Sequence, residues 1–329
     1  MQPTIRLGLI GCGVAARELH WPALLQVRDV LQLVAVCNRT PEKAQALASL
    51  AGGIDWYRDW EALIARDDIA AVDIVLPATL NLAATRAALA ADKHVLVEKP
   101  LAATLEEAQA MRALARAHPG KVLLVAENFR YAWFLQRLRQ WLASGEVGRP
   151  YALHWHAFSH MTPDNRYIAS GWRGSEAFPG GLLLDAGVHY IAVVRALLGE
   201  ITAAQLDAVQ VNPALGRYDG GCLHFETADG AHGSLNLYFS VPGHNEWRLV
   251  LLAERGTAQY DGRTLTLHHA DGRVVSETRP DDDGYAAELR AFAEAIARGA
   301  GGSDFDEAWR DMRVIGETMA QPGRRVLLD

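Results

Sequence analysis

Over the first 120 residues, short β-branched runs alternate with amphipathic, alanine-rich segments, a pattern that predicts a parallel sheet flanked by helices. Strands are expected at 5–10, 31–37, 71–76, 93–97 and 121–126, with a short one near Trp56. Helices are expected at 15–27, interrupted near Pro22, and at 41–50, 59–66, 80–91 and 104–117. Thr40-Pro41-Glu42 and Thr104-Leu105-Glu106-Glu107 open their helices with a capping hydroxyl followed by acidic residues. A doubly wound sheet of this kind takes its ligand at the carboxyl ends of its strands.

The pattern changes after about Arg130. A helix over 131–143 ends at Ser144-Gly145 and is followed by a strand-rich stretch: 151–159, 203–212, 220–227, 231–240, 246–253, 256–260, 264–268 and 273–276. Asp-Gly pairs at 219–220, 229–230, 261–262 and 271–272 mark hairpins, because both turn positions tolerate positive φ. Helices are expected at 183–198, 284–298 and 305–320, and a last strand at 324–328. The reading is an α/β chain of two domains: a doubly wound parallel sheet over 1–128, then an α+β domain over 129–329 built on a large, mainly antiparallel open sheet. Helices cover one face of such a sheet. A second copy of the chain is the expected cover for the other, which predicts a homodimer or homotetramer.

Composition narrows the function classes. The chain has 329 residues, half of them hydrophobic and 22% charged, enough for ample cores. A formal net charge of −7 argues against a nucleic-acid partner or an anionic membrane surface. Cys12, Cys37 and Cys222 form no Cys-x-x-Cys pair and read as small core residues in a reducing compartment. With no charged leader and no apolar run of spanning length, a cytoplasmic protein is expected.

The first strand runs into Gly11-Cys12-Gly13-Val14-Ala15-Ala16, a Gly-x-Gly-x-x-Ala turn opening a helix. The first glycine permits the tight turn, the second lets backbone approach a pyrophosphate, and the small third residue lets helix and strand pack closely. The phosphate then meets N–H groups at the positive end of the helix. Gly11, Cys12, Gly13, Val14 and Ala15 are the expected cofactor cradle. After the second strand, where a carboxylate would bond both ribose hydroxyls of NAD, stand Asn38 and Arg39. Arg39 would attract a 2′-phosphate, which tips the expectation towards NADP, although arginine there can also stack on adenine in an NAD enzyme.

Two further motifs carry chemistry: Glu98-Lys99-Pro100 at the end of the fifth strand, and the Gly-Gly-x-x-x-Asp-x-Gly-x-His run from Gly180 to His189. Taken with the glycine turn and Trp172-Arg173, in this order and over nearly the full length, they resemble the glucose-fructose oxidoreductase/inositol dehydrogenase family, Gfo/Idh/MocA. The resemblance implies an NAD- or NADP-dependent enzyme acting on sugars, cyclitols or related polyols. It implies Lys99, Asp185 and His189 as catalytic residues, with Pro77, Glu98 and Lys99 near the cofactor. Two positions depart from the family pattern: Asn81 stands where many relatives carry histidine, and Ala192 where many carry aspartate.

The residue chemistry agrees. Hydride loss from a secondary alcohol requires a base for the hydroxyl proton, and histidine titrates in the right range. Asp185 and His189, four apart on a helix, share one face. Lys99 supplies positive charge where alkoxide character develops. Glycines 180 and 181 are expected to let the chain pass close to the substrate. His156, Trp172, Arg173 and Tyr238 are candidates for a polar, aromatic substrate pocket. His154, His156 and His160 lack supporting cysteines or carboxylates and are placed on a strand face near the cleft, with no metal site expected. Two other functions stay open: a nicotinamide-dependent glycosidase of the same fold, and a non-catalytic dinucleotide sensor.

Overall fold

The computed structural model describes residues 4–162, 164–280 and 283–328. The chain divides into two compact units. In the first, β1 (Ile5–Ile10) leads through a π-type turn at Ala16–His20 into α1 (Trp21–Gln26). Pro22 has no N–H to give the preceding turn, which accounts for the interruption in this helix. The unit continues with β2 (Leu31–Cys37), α2 (Pro41–Leu50), β3 (Asp55–Tyr57), α3 (Trp60–Ile64), β4 (Ala71–Ile74), α4 (Asn81–Ala90), β5 (His94–Glu98), α5 (Leu105–Ala117) and β6 (Val122–Ala126). Thr104 caps α5 as expected, its Oγ1 accepting from the Glu107 N–H at 3.2 Å. Thr40 makes no such bond, and Pro41 takes the first helical position, where its missing N–H leaves no intrahelical bond unmade.

The second unit holds α6 (Trp133–Ala143), β7 (Pro150–Phe158), α7 (Gly181–Leu198), β8 (Ile201–Val209), β9 (Gly220–Thr227), β10 (His232–Tyr238), β11 (Glu246–Ala253), β12 (Gly256–Tyr260), β13 (Thr264–His269) and β14 (Val274–Thr278). The chain then returns to the first unit with α8 (Tyr285–Arg298) and β15 (Gly302–Ser303), and the boundary falls within α9 (Phe305–Ala320), before β16 (Arg325–Leu327). This corrects the simple division at residue 128, since Gly284–Trp309 belongs to the first unit. Leu289, Phe292 and Ala293 of α8 share a core with Leu7, Leu24, Leu31 and Leu96, and β15 extends the sheet alongside β6.

The first sheet has the order β15-β6-β5-β4-β1-β2-β3, every pair parallel. Strand order reverses direction at β1, the position where doubly wound sheets open a crevice at their carboxyl ends. The second sheet runs β14-β13-β12-β11-β7-β10-β9-β8-β16 and is antiparallel except where β7 lies beside β10. One face packs under α6 and α7: Trp155 meets Tyr190 edge-on at 4.7 Å, and Phe134 stacks on Tyr260 at 4.7 Å. By length and composition α7 is apolar enough to cross a bilayer, a run not anticipated above. Here it is buried nearly all round as the central helix of its unit.

Candidate active site

In the first unit the predicted cofactor residues gather at the carboxyl ends of four adjacent strands. Gly11–Ala15 follow β1, Asn38 and Arg39 follow β2, Pro77 follows β4, and Glu98 ends β5 with Lys99 next. Gly11 has φ +104°, and a Cβ there would lie 2.1 Å from the Val75 carbonyl oxygen, so only glycine fits the turn. A Cβ on Gly13 would meet nothing within 4 Å. The turn is therefore packed behind Gly11 and open beside Gly13, the shape a pyrophosphate cradle requires.

Asn38 braces this turn. Its Oδ1 accepts from the Cys12 N–H at 3.0 Å while its Nδ2 donates to the Thr40 carbonyl at 3.1 Å. Arg39 beside it is exposed. Burial, with Cys37 adjacent, pushes the Cys12 thiol up to about 12, so it stays protonated as a space-filling group.

Directly beneath lies a buried charge cluster that the sequence did not reveal. His20, only 1% exposed, sits between two carboxylates: Nδ1 is 2.8 Å from Asp73 Oδ2 and Nε2 is 2.9 Å from Glu98 Oε1. Burial opposes charge on this ring, but Asp73 and Glu98 outweigh it and raise the imidazole well above its ordinary range. Glu288 of α8 is equally buried, and desolvation raises its carboxyl well above the usual range; His20 opposes that rise, while Glu98, Glu127 and Asp73 add to it. The Glu98 carboxylate is thus turned into the unit towards His20. Asn81 completes the picture, its Nδ2 donating to the carbonyls of Glu98 at 2.9 Å and Pro100 at 3.1 Å, the residues on either side of Lys99.

In the second unit, α7 carries Asp185 and His189 one turn apart. Asp185 is 4% exposed and receives Nε of Arg173 at 2.6 Å. Arg173 also donates through Nη1 to the Tyr167 carbonyl at 2.8 Å and lies over the Trp172 ring at 4.4 Å, so Trp172, Arg173 and Asp185 form one group. The half-buried His189 ring stacks on Phe129, centroids 4.5 Å apart.

Gly181 has a structural reason of its own, and two of the candidate pocket residues lie elsewhere. Gly181 is required by the chain itself: at φ +54°, a Cβ would lie 3.0 Å from Leu215 O and from Gly216 Cα. His156 and Tyr238 do not join the Asp185 group. Trp155 faces α7, so its neighbour His156 points to the opposite side of the sheet, where it stacks on Phe158 and lies 3.4 Å from Glu246. Tyr238, paired across the ladder with Phe158 and 5.7 Å from its ring, lies on that side too. Among the described residues, no three histidine, cysteine or carboxylate side chains converge in a way that would hold a metal ion.

The N-terminal part, residues 5–126, matches the profile described as "Oxidoreductase family, NAD-binding Rossmann fold", and residues 135–259 match the "GFO/IDH/MocA C-terminal domain". The chain is 30% identical over 312 residues to the dehydrogenase FPY6 of Fusarium mangiferae, covering 89% of this chain and 88% of that one. It is also 30% identical to the dTDP-3,4-didehydro-2,6-dideoxy-alpha-D-glucose 3-reductase of Actinomadura kijaniata, over 90% of this chain and 88% of the relative. Among solved structures, an oxidoreductase of Thermotoga maritima superposes with a TM-score of 0.90 at 30% identity, covering 99% of this chain and 98% of the other. Glycine turn, doubly wound sheet and open second sheet thus occur together in a chain that belongs to the Gfo/Idh/MocA family of NAD-binding oxidoreductases.

Proposed function

We propose that this enzyme transfers a hydride between a nicotinamide dinucleotide and a secondary alcohol or ketone of a sugar, cyclitol or related polyol. The observation that carries the reading is the pairing of Asp185 and His189 on one face of α7, with Lys99 at the carboxyl end of β5 in the nucleotide-binding sheet. Relatives at 30% identity support the substrate class: the Actinomadura enzyme is named a reductase of a nucleotide-linked keto sugar, and that of Ensifer adhaerens a 1,5-anhydro-D-fructose reductase.

When bound, the nicotinamide accepts or returns the hydride. The protein's part is to hold the carbinol and manage its proton. In the oxidative direction the C–H electron pair leaves with its hydrogen as hydride, and His189 takes the hydroxyl proton as the carbonyl forms. Lys99 offsets the negative charge that grows on oxygen. Asp185, fixed by Arg173, holds a neighbouring hydroxyl or orients His189. Arg39, exposed beside Asn38, favours NADP through its charge.

A panel of polyols, aldoses, sugar acids and their keto forms, assayed with NAD and NADP, tests the reading. Net reduced cofactor formed with a free sugar supports it. Hydride returned within each turnover, with glycoside cleavage, would identify the glycosidase chemistry instead, and tight cofactor binding without turnover would identify a sensor. Assembly through the uncovered sheet face, which carries His156, Phe158 and Tyr238, is part of the same proposal; a monomer by light scattering would remove it.

A further inference from the structure

Within the nucleotide-binding unit, the residues before and after Lys99 are held by two buried polar side chains that take no part in the glycine turn. One is the imidazole of His20, bonded to Asp73 within β4 and to the side chain of Glu98 at the end of β5. The other is the Asn81 amide, whose Nδ2 donates most closely to the carbonyls of the residues before and after Lys99, Glu98 and Pro100, with that of Leu101 farther off at 3.5 Å. Both side chains are fully buried. Leaving polar atoms in so dry a place is costly, and the remaining atoms confirm the cost: Asn81 Oδ1, Asp73 Oδ1 and Glu288 Oε2 make no hydrogen bond among the described residues. A core built for stability alone would be apolar at these positions.

We propose that His20 and Asn81 are positioning residues that hold Lys99 in its working place, His20 by gripping the Glu98 carboxylate and Asn81 by fixing the backbone on both sides. The inference rests on the reading of Lys99 as the group that meets the reacting oxygen. A carboxylate left ungripped beside Lys99 would turn towards the lysine and compete with substrate for its charge. With both ring nitrogens facing carboxylates, His20 donates from each and is held as the imidazolium. The groups facing it are Asp73 from β4, Glu98 from β5, and Glu288 and the Tyr285 ring from α8; Glu127, after β6, acts on Glu288. Removing the imidazolium therefore adds one uncompensated negative charge next to Lys99.

The test exploits the scarcity of lysine: the chain has only Lys43, Lys93, Lys99 and Lys121. Reductive 13C-methylation of the full-length, cofactor-free protein gives methyl signals that can be titrated by NMR, with Lys99 assigned by its loss in Lys99→Arg. In His20→Leu the Lys99 midpoint should rise by about half a unit or more, and in Glu98→Gln, which keeps an acceptor for His20 but removes a charge, it should fall. Asn81→Ala should move or broaden the Lys99 signal while Lys43 and Lys121 stay in place. In the cofactor-loaded enzyme each of the His20 and Asn81 variants should lower kcat by roughly tenfold or more with the sugar KM nearly unchanged. If His20→Leu does not fold, Glu98→Gln alone decides. An unmoved Lys99 titration in the folded variants would overturn the proposal even if the wild type oxidises sugars. Conversely, shifted titrations in an enzyme that turns over no sugar would leave the positioning intact and refute the functional reading.

Discussion

Arg173 and Asp185 form a nearly closed ion pair, Nε to Oδ2 at 2.6 Å, with side-chain exposures of 14% and 6%. A guanidinium this well enclosed is committed to the protein, not to a substrate carboxylate or phosphate, and its second arm on the Tyr167 carbonyl ties the loop to α7. Breaking a buried pair from one side costs about 3–5 kcal/mol, because the remaining charge stays buried. Arg173→Leu should therefore lower both stability and turnover, whereas Arg173→Leu with Asp185→Leu should recover stability without turnover. Urea unfolding of the three proteins checks this. Equal stability of Arg173→Leu and wild type would show that the pair contributes nothing.

His189→Ala should leave the fold and cofactor binding in place and reduce turnover by about 100-fold or more, the usual loss for a missing general base. The residues expected to hold the nucleotide, from Gly11 to Lys99, belong to the other unit, so cofactor affinity is the internal control. The imidazole is held by stacking on Phe129 at 4.5 Å. Turnover within a few-fold of wild type on the best substrate of the panel would take His189 out of the proton-transfer role.

How much of this was legible follows from what kind of information each feature needs. The strands of the first sheet are buried on both faces and read as apolar runs, so β1 and β2 fall where expected. β15 is two residues long and held only by backbone pairing to β6, leaving no side-chain pattern to find. The return of α8 is a matter of which core its apolar stripe enters, and periodicity reveals a stripe without its destination. The same limit misplaced His156 and Tyr238: alternation puts His154, His156 and Phe158 on one face but cannot say that Trp155 takes the helix side. Asp73 was hidden inside an apolar run, and His20 in a helix read only for its glycine turn. Asn81 stood out as a departure from the family pattern, and its two carbonyl bonds give that departure a role.

Cofactor choice turns on Arg39 and Asn38. Arg39→Ala should weaken NADP more than NAD if the guanidinium meets a 2′-phosphate, since a charge-assisted bond is roughly twice as strong as a neutral one. Asn38→Asp keeps one oxygen on the Cys12 N–H but sets the other against the Thr40 carbonyl, where Nδ2 now donates. That oxygen should turn outward, repel a 2′-phosphate and accept from a ribose hydroxyl, at a cost of about 1 kcal/mol in the turn. Fluorescence titration of both cofactors decides: equal losses in Arg39→Ala would assign Arg39 to stacking on adenine.

The buried cluster also makes stability depend on pH in a definite direction. Glu288 has its folded-state affinity for a proton raised well above the ordinary 4.5, and His20 well above 6.5. For both groups the folded state binds the proton more tightly than the unfolded chain, so their contribution is greatest in acid. It falls as pH rises from the unfolded value through the folded one, beginning near 4.5 for Glu288 and near 6.5 for His20. Glu288→Gln copies the protonated acid in shape and removes its share of that slope. Wild type and variant should melt together at about pH 4, below the unfolded value, and the variant should melt higher at about pH 9, where ionising Glu288 beside Asp73, Glu98 and Glu127 is most costly to the native protein. Calorimetric melting at the two pH values measures this. A variant less stable than wild type in the alkaline range would mean that Glu288 is native as a carboxylate, held by His20, and that the assignment of the buried proton to it is wrong.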